Sequence, residues 1–168
     1  MNPVLSSFYP VLSEFDRPLS SYFRQLFAQV TNPPVDNIRE DLVFSLETRI
    51  GCHRNILSES PDHVKQIILD SPILTDADMG AIRELKGDIK VGIVDITYDG
   101  KNLEKGLENV RKKCVSHVKS GVEILVLCDR NVDQKRVPIP SLLAVGGVHH
   151  HLVREGLRAR TGIILESG

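Results

Sequence analysis

The chain has 168 residues, 41% of them hydrophobic and 26% charged, enough to bury one core of ordinary domain size. Lys and Arg total 21 against 22 Asp and Glu, a formal net charge of -1, and the basic residues are scattered. Neither nucleic acid nor an anionic membrane is therefore an expected partner. No apolar run approaches the ~20 residues of a spanning helix, and "MNPVLSSFYPVLSEFDRP" lacks the basic start and continuous apolar stretch of a signal peptide, so a cytoplasmic location is expected.

Leu19, Tyr22, Phe23, Leu26, Phe27 and Val30 recur at steps of three and four, which predicts a helix over about 19–30. Pro33 and Pro34 end it, because proline lacks an amide hydrogen and biases the residue before it toward an extended backbone. Asp36 or Asn37 then caps a second helix, whose stripe is Leu42, Val43, Leu46 and Ile50 and whose stop is Gly51. The next segment, "CHRNILSESPDHVKQIILDSPIL", reads as mixed: Ser60-Pro61-Asp62 starts a helix, while "QIILDSPIL" fits a short strand equally well. Thr75 with Asp78 resembles a capping box opening a short helix that ends by Gly87.

From Lys90 the pattern becomes regular. "KVGIVDITY" is a β-branched strand, and Leu103, Leu107, Val110, Cys114 and Val118 mark a helix stopped near Gly121. "VEILVLC" is apolar along nearly its whole length, as expected for a strand covered on both faces in a parallel sheet. Pro138 and Pro140 introduce the helix "SLLAVGGVHHHLVREG", and "TGIILE" is the next strand. The alternation predicts an α/β fold, a partial parallel βαβ barrel-like domain behind a helical N-terminal segment. The sheet reads as cut after its last strand, so residues 1–168 are expected to form a single domain incomplete at its C-terminus.

The candidate chemistry is sparse. Cys52, Cys114 and Cys128 are an odd set without CxxC or metal-finger spacing, and Cys114 and Cys128 fall on apolar faces, where cysteine behaves as a small core residue. His149, His150 and His151 are turned from one another by about 100° along a helix, so they do not converge on one ion, and a structural or interface role is expected. Asp95 and Asp129 sit in or at the end of predicted strands, where α/β folds place reactive groups. The plainer reading gives Asp129 to loop amides or to Arg130. "AVGGVHH" lies inside a helix pattern and matches neither dinucleotide nor phosphate-loop fingerprints, so close packing explains Gly146 and Gly147. Arg154, Arg158 and Arg160 flank a helix end and favour its negative pole.

Four blocks are more specific than any α/β pattern: "YFRQLFAQVTNPPVDNIREDLVFSLET", "SPILT", "ILVLCDR" and "PIPSLLAVGGVHHHLVREGLRARTGIILESG". In order and spacing they resemble the central domain of the glutamate synthase large subunit, from about Arg17 to Gly168, with residues 1–16 a loosely matching lead-in. The resemblance implies a part of a multidomain enzyme that makes glutamate from glutamine and 2-oxoglutarate. It implies two partners, on the same polypeptide or as separate subunits: a glutamine amidotransferase domain, and an FMN-binding synthase domain that also carries a 3Fe-4S cluster. Thr31 and Asn32 match the family's tunnel-lining pair, which implies that they line an internal path for ammonia. The chain has no N-terminal cysteine after Met1 and no cluster-ligand spacing, so no catalytic residue, cofactor or metal is assigned to it, and alone it is expected to be inactive. Two alternatives stand beside this reading: a small autonomous enzyme on half an α/β barrel, using Asp129 and a histidine, and a self-assembling module in which two copies supply each other's missing layer.

Overall fold

A computed structural model describes Ala28, Thr31 and residues 34–85 and 87–167. Contacts separate the chain after Pro33, and the body described here is the second unit, from Pro34 onward. The expected helix at 19–30 lies outside the described residues, Ala28 excepted.

In chain order the elements are α1 (Glu40–Val43), β1 (Thr48–Gly51), a 3-10 turn (Pro61–Val64), β2 (Gln66–Leu69), α2 (Asp76–Arg83), β3 (Val91–Asp95), β4 (Thr97–Tyr98), α3 (Leu103–Lys119), β5 (Ile124–Cys128), β6 (Val137–Pro138), α4 (Ser141–Arg154) and β7 (Gly162–Glu166). β3, β5 and β7 form a parallel sheet in that order, with α3 and α4 as the crossovers. The βαβαβ expectation holds, and among the described residues the three strands form an open sheet that does not close into a barrel.

The second helix is a correction. Asp36 Oδ1 accepts from the Ile38 and Arg39 amides at 3.0 and 2.9 Å in a turn ahead of α1 and does not cap it: α1 is a single turn whose N-cap is Arg39, without a side-chain cap bond. The expected stripe splits: Leu42 and Leu46 are exposed, while Ile50 lies in β1, antiparallel to β2, with Ile50 opposite Ile67. Thr48 and Ile50 are β-branched and alternate with polar neighbours, so pairing with "QIIL" wins over helical spacing that has no core to face. Gly51, at φ +147°, thus ends a strand and caps no helix.

Elsewhere the local chemistry acts as read. Ser60 caps the 3-10 turn through Asp62 N, and the Thr75–Asp78 capping box is complete, though α2 ends at Arg83, ahead of Gly87. Gly121, at φ +90°, follows α3 and supplies the left-handed residue that stops it. "KVGIVDITY" breaks at Ile96: its first part is β3, and Thr97–Tyr98 leaves the sheet to pair with Val137–Pro138. The break is fixed from both sides, since Ile96 N donates to Cys128 O and Ile96 O accepts from Ile139 N, each at 2.9 Å.

Two cores lie on opposite faces of the sheet. Val94, Leu125 and Leu127 meet Leu107, Val110 and Cys114 of α3 and Val148 and Leu152 of α4. On the other face Ile124, Val126 and Ile164 meet Ile50 of β1 and Met79 and Ile82 of α2. Every residue of β5 is buried, as the unbroken apolar run predicts, and each such side chain contributes about 1.5–3 kcal/mol. Gly147 packs against α3, a Cβ there meeting Leu107 Cδ1 at 3.0 Å, whereas Gly146 has nothing within 4 Å; close packing accounts for Gly147 only.

Candidate functional site at the carboxyl ends of the parallel strands

The register aligns Asp95, Cys128 and Glu166 as the last residues of three adjacent strands. They share the sheet face that α2 covers. Glu166 is buried and draws two guanidinium groups: Arg83 Nη2 of α2 donates to Oε2, and Arg130 Nε pairs with Oε1 at 3.1 Å. Arg130 Nη2 also donates to Asp76 Oδ1 at 2.9 Å, so the loop after β5, the first turn of α2 and the end of β7 are tied together. A hollow of about 630 Å³ opens beside this ring, lined on its polar side by Thr75, Asp76, Arg130, Glu166 and Ser167.

Asp129 is buried, and its Oδ2 accepts from Ser167 Oγ at 2.7 Å. Asp95 Oδ1 accepts from the Thr97 amide and hydroxyl at 2.8 and 2.7 Å, and Oδ2 from Asn131 Nδ2 at 3.2 Å, with Arg136 Nη1 at 3.4 Å. Burial pushes the Asp95 carboxyl up, and the Thr97 and Asn131 bonds with the Arg136 charge more than offset it, leaving it below the usual 3.8. Burial raises the Cys128 thiol, and the neighbouring Glu166 raises it further. A carboxylate engaged this way makes a poor general base at neutral pH, because accepting a proton forfeits several bonds at once.

The sequence-selected residues scatter around this ring. Asp95 and Asp129 stand at the same strand ends: Asp129 reaches the hollow through Ser167, whereas Asp95 is bonded to Thr97, Asn131 and Arg136. The histidines do not stand there, and among the described residues none lines the hollow. His149 is instead part of the α4-to-β7 connection: Arg158 Nε donates to its Nδ1 at 2.9 Å, while Arg158 Nη1 donates to Thr161 O at 2.6 Å. His150 stacks edge-on against it, ring centroids 5.0 Å apart. Cys52, Cys114 and Cys128 are all buried and free, in three different places: after β1, within α3 and at the end of β5. They do not gather as iron-cluster ligands, and no group of three or more His, Cys, Asp or Glu suited to a metal occurs among the described residues. Thr31 is an exposed residue in a bend, and Asn32 lies outside the described residues.

Sequence reasoning missed Glu166 and Arg83, and named Arg130 only as a partner for Asp129, without its pairs to Glu166 and Asp76. The signal was present in the strand ends: aligning "VGIVD", "ILVLC" and "GIILE" puts Asp95, Cys128 and Glu166 in one row.

Comparison with known proteins bears on the whole domain. The large chain of an NADPH glutamate synthase from Bacillus subtilis (strain 168) is 40% identical over 159 residues, 94% of this chain and 10% of that protein. A ferredoxin-dependent glutamate synthase 2 of Synechocystis is 43% identical over 164 residues, and the NADH glutamate synthase of Schizosaccharomyces pombe 40%, with 10% and 8% of those proteins covered. The chain thus spans about a tenth of the length of these relatives. Among the described residues no helix is long and apolar enough to cross a membrane. The family described as glutamate synthase central domain matches residues 7–168, and with that coverage the chain belongs to the glutamate synthase central domain family.

Proposed function

We propose that this chain serves as the joining domain of a glutamate synthase in the cytoplasm, standing between a glutamine amidotransferase domain and a synthase domain that holds FMN and a 3Fe-4S cluster. The observation that carries the reading is the family match over residues 7–168. The three relatives above, named for NADPH, ferredoxin and NADH, are 40, 43 and 40% identical to it, so the sequence of this domain does not follow the electron donor. Exposed Ile38, Leu42 and Leu46 support a segment that is covered in a larger assembly, since apolar side chains clustered over a few residues mark contact surfaces.

Within that reading, Thr31 and Asn32 line the passage for ammonia. Thr31 is exposed in a bend, and in the sequence it is followed by Asn32 and two prolines; short polar side chains suit a narrow path for a small neutral molecule. The experiment is Thr31→Trp in a complete synthase carrying this domain. Glutamine hydrolysis should persist while glutamate formed per glutamine falls; an unchanged ratio refutes the passage. Glutamine turnover by the pure 168-residue chain would refute the part of the proposal that gives it no catalytic centre.

A further inference from the structure

The parallel sheet is open along β7, its end strand. Gly162 N donates to Glu123 O and Glu166 O accepts from Asp129 N, so the even-numbered residues of β7 bond to β5. The two-residue period of a strand then turns the amide and carbonyl groups of Ile163 and Leu165 the other way, where among the described residues they meet no partner. The hollow at the carboxyl edge touches Ile163 through Ser167 in unbroken succession, side chains of both faces included, so it reaches round a bare strand edge.

α4, on one face of that edge, has an unused flank. Ala144, Val148 and Leu152 face the sheet, and Gly147 faces α3, where a Cβ would meet Leu107. At about 100° per residue, Leu142, Val145 and Val153 fall on the flank away from α3, with Gly146 next to them. Leu142 is 49% and Val153 52% exposed, and Leu165 of β7 is 40% exposed. His149 on the same flank is already bonded to Arg158. Gly146 has nothing within 4 Å, although glycine inside a helix is unfavourable. Its neighbour Gly147 shows what a bare backbone does here, which is to let a second helix come close.

A bare strand edge calls for backbone donors and acceptors, and an apolar flank with a glycine calls for a helix. One partner supplies both. We infer that the β7 edge and the outer flank of α4 together receive a further β-strand and helix, the strand parallel to β7 and the helix setting a bulky apolar side chain against Gly146. A right-handed crossover joins a strand at that edge to a helix on that flank when the strand is parallel. The strand is apolar on both faces, because the α4 flank lies over one and Ile50, Leu69 and Leu74 line the hollow on the other. The inference rests on the reading of the chain as part of a glutamate synthase, another segment of which supplies the unit: the stretch matched here is 10% of the Bacillus subtilis relative.

The test is amide hydrogen exchange, read by mass spectrometry on the peptide spanning residues 161–167, in the 168-residue chain and in a complete synthase carrying this domain. The Ile163 and Leu165 amides should exchange freely in the chain alone and roughly 100-fold more slowly in the synthase. Gly146→Leu should raise the melting temperature of the chain alone by about 2–4 °C, since it replaces a poor helix former on an open flank. In the synthase the same change should undo most of the protection at residues 161–167, and Gly146→Ala carries that readout if the leucine variant fails to assemble. Amides already slow in the chain alone, whether through its own N-terminal segment or, with rising concentration, through a second copy, would overturn the inference. So would amides that stay fast in the synthase, or protection there that neither Gly146 variant alters. An active synthase giving any of these results leaves the joining-domain reading standing and removes only the docking surface.

Discussion

Gly162 opens β7 where β1 crosses the sheet face, and it offers a quantitative check on how that hairpin docks. A Cβ added there would lie 2.2 Å from Ile50 Cγ1, 3.0 Å from Ile50 Cδ1 and 3.2 Å from Gly51 N. The closest atom is the first on a buried, β-branched side chain whose χ1 is restricted, so relieving the overlap takes a disfavoured rotamer or a backbone shift. Gly162→Ala should therefore cost about 1–3 kcal/mol from overpacking, partly offset by the ~0.4–1 kcal/mol that alanine gains by restricting the unfolded chain, since Gly162 has no positive φ to lose. For a chain of this size each kcal/mol moves the melting temperature by roughly 2–4 °C. Ile50→Ala alone should cost about 2–5 kcal/mol through the cavity it leaves in the second core. In the double variant the Ile50 overlap is gone while the tight 3.2 Å approach to the Gly51 backbone N remains, so adding Gly162→Ala to Ile50→Ala should cost clearly less than adding it to the parent. Urea unfolding of the four proteins closes the cycle, with a coupling of about 1–3 kcal/mol expected. Additivity within about 0.5 kcal/mol would refute the docking of β1 on β7.

Three further outcomes follow from the same structure. Cys114 is fully buried and burial pushes its thiol up to about 12, so in native protein at pH 8 it should be the slowest of the three cysteines to react with a thiol reagent and should react only as the chain unfolds; labelling at the rate of the others contradicts this. Burial, then the Arg158 and His150 charges, hold His149 below its ordinary 6.5. Between its folded value and about 6.5 the unfolded chain binds more protons, so stability should rise with pH in that window, be complete above it and be lost on acidification; His149→Gln, which keeps an acceptor for Arg158, should flatten that part of the urea-midpoint profile. Glu166→Ala strands two guanidinium groups, and because Arg83 and Arg130 are only half buried and can turn to water, the cost should be about 1–3 kcal/mol, less than for a fully buried pair, as read by thermal melting.

What could be read from the sequence follows the number of partners each segment needs. β5 was legible because a run buried on both faces is apolar throughout, and α3 because its stripe is long and its stop is glycine. The α2 capping box was legible because it is entirely local, Thr75 and Asp78 satisfying each other. Residues 42–50 misled for the opposite reason. Their apolar spacing fits a helix and a strand alike, and the choice was made by β2 more than a dozen residues later. The carboxyl-edge ring needed still more: Glu166 meets Arg83 across 83 residues of sequence, and only the parallel register brings them within reach.

Parallel α/β sheets place their chemistry at the carboxyl ends of strands, where loops vary without disturbing the core. In this chain those ends are engaged in holding elements together. Arg83 and Asp76 come from α2, outside the βαβ repeat, and Arg130 and Glu166 clamp them to β5 and β7. Asp95 pins the turn into β4, and Asp129 meets Ser167 beyond the last strand. Asp95, Asp129 and Glu166 all hold neighbouring elements here, with Asp95 below the ordinary carboxylate range and the Cys128 thiol raised, both moving away from neutrality. Catalytic groups work best with a pKa near the working pH. The side-chain pairing at this edge therefore supports the proposal of a joining domain independently of the family match, because it explains what the strand-end residues do when they are not reacting.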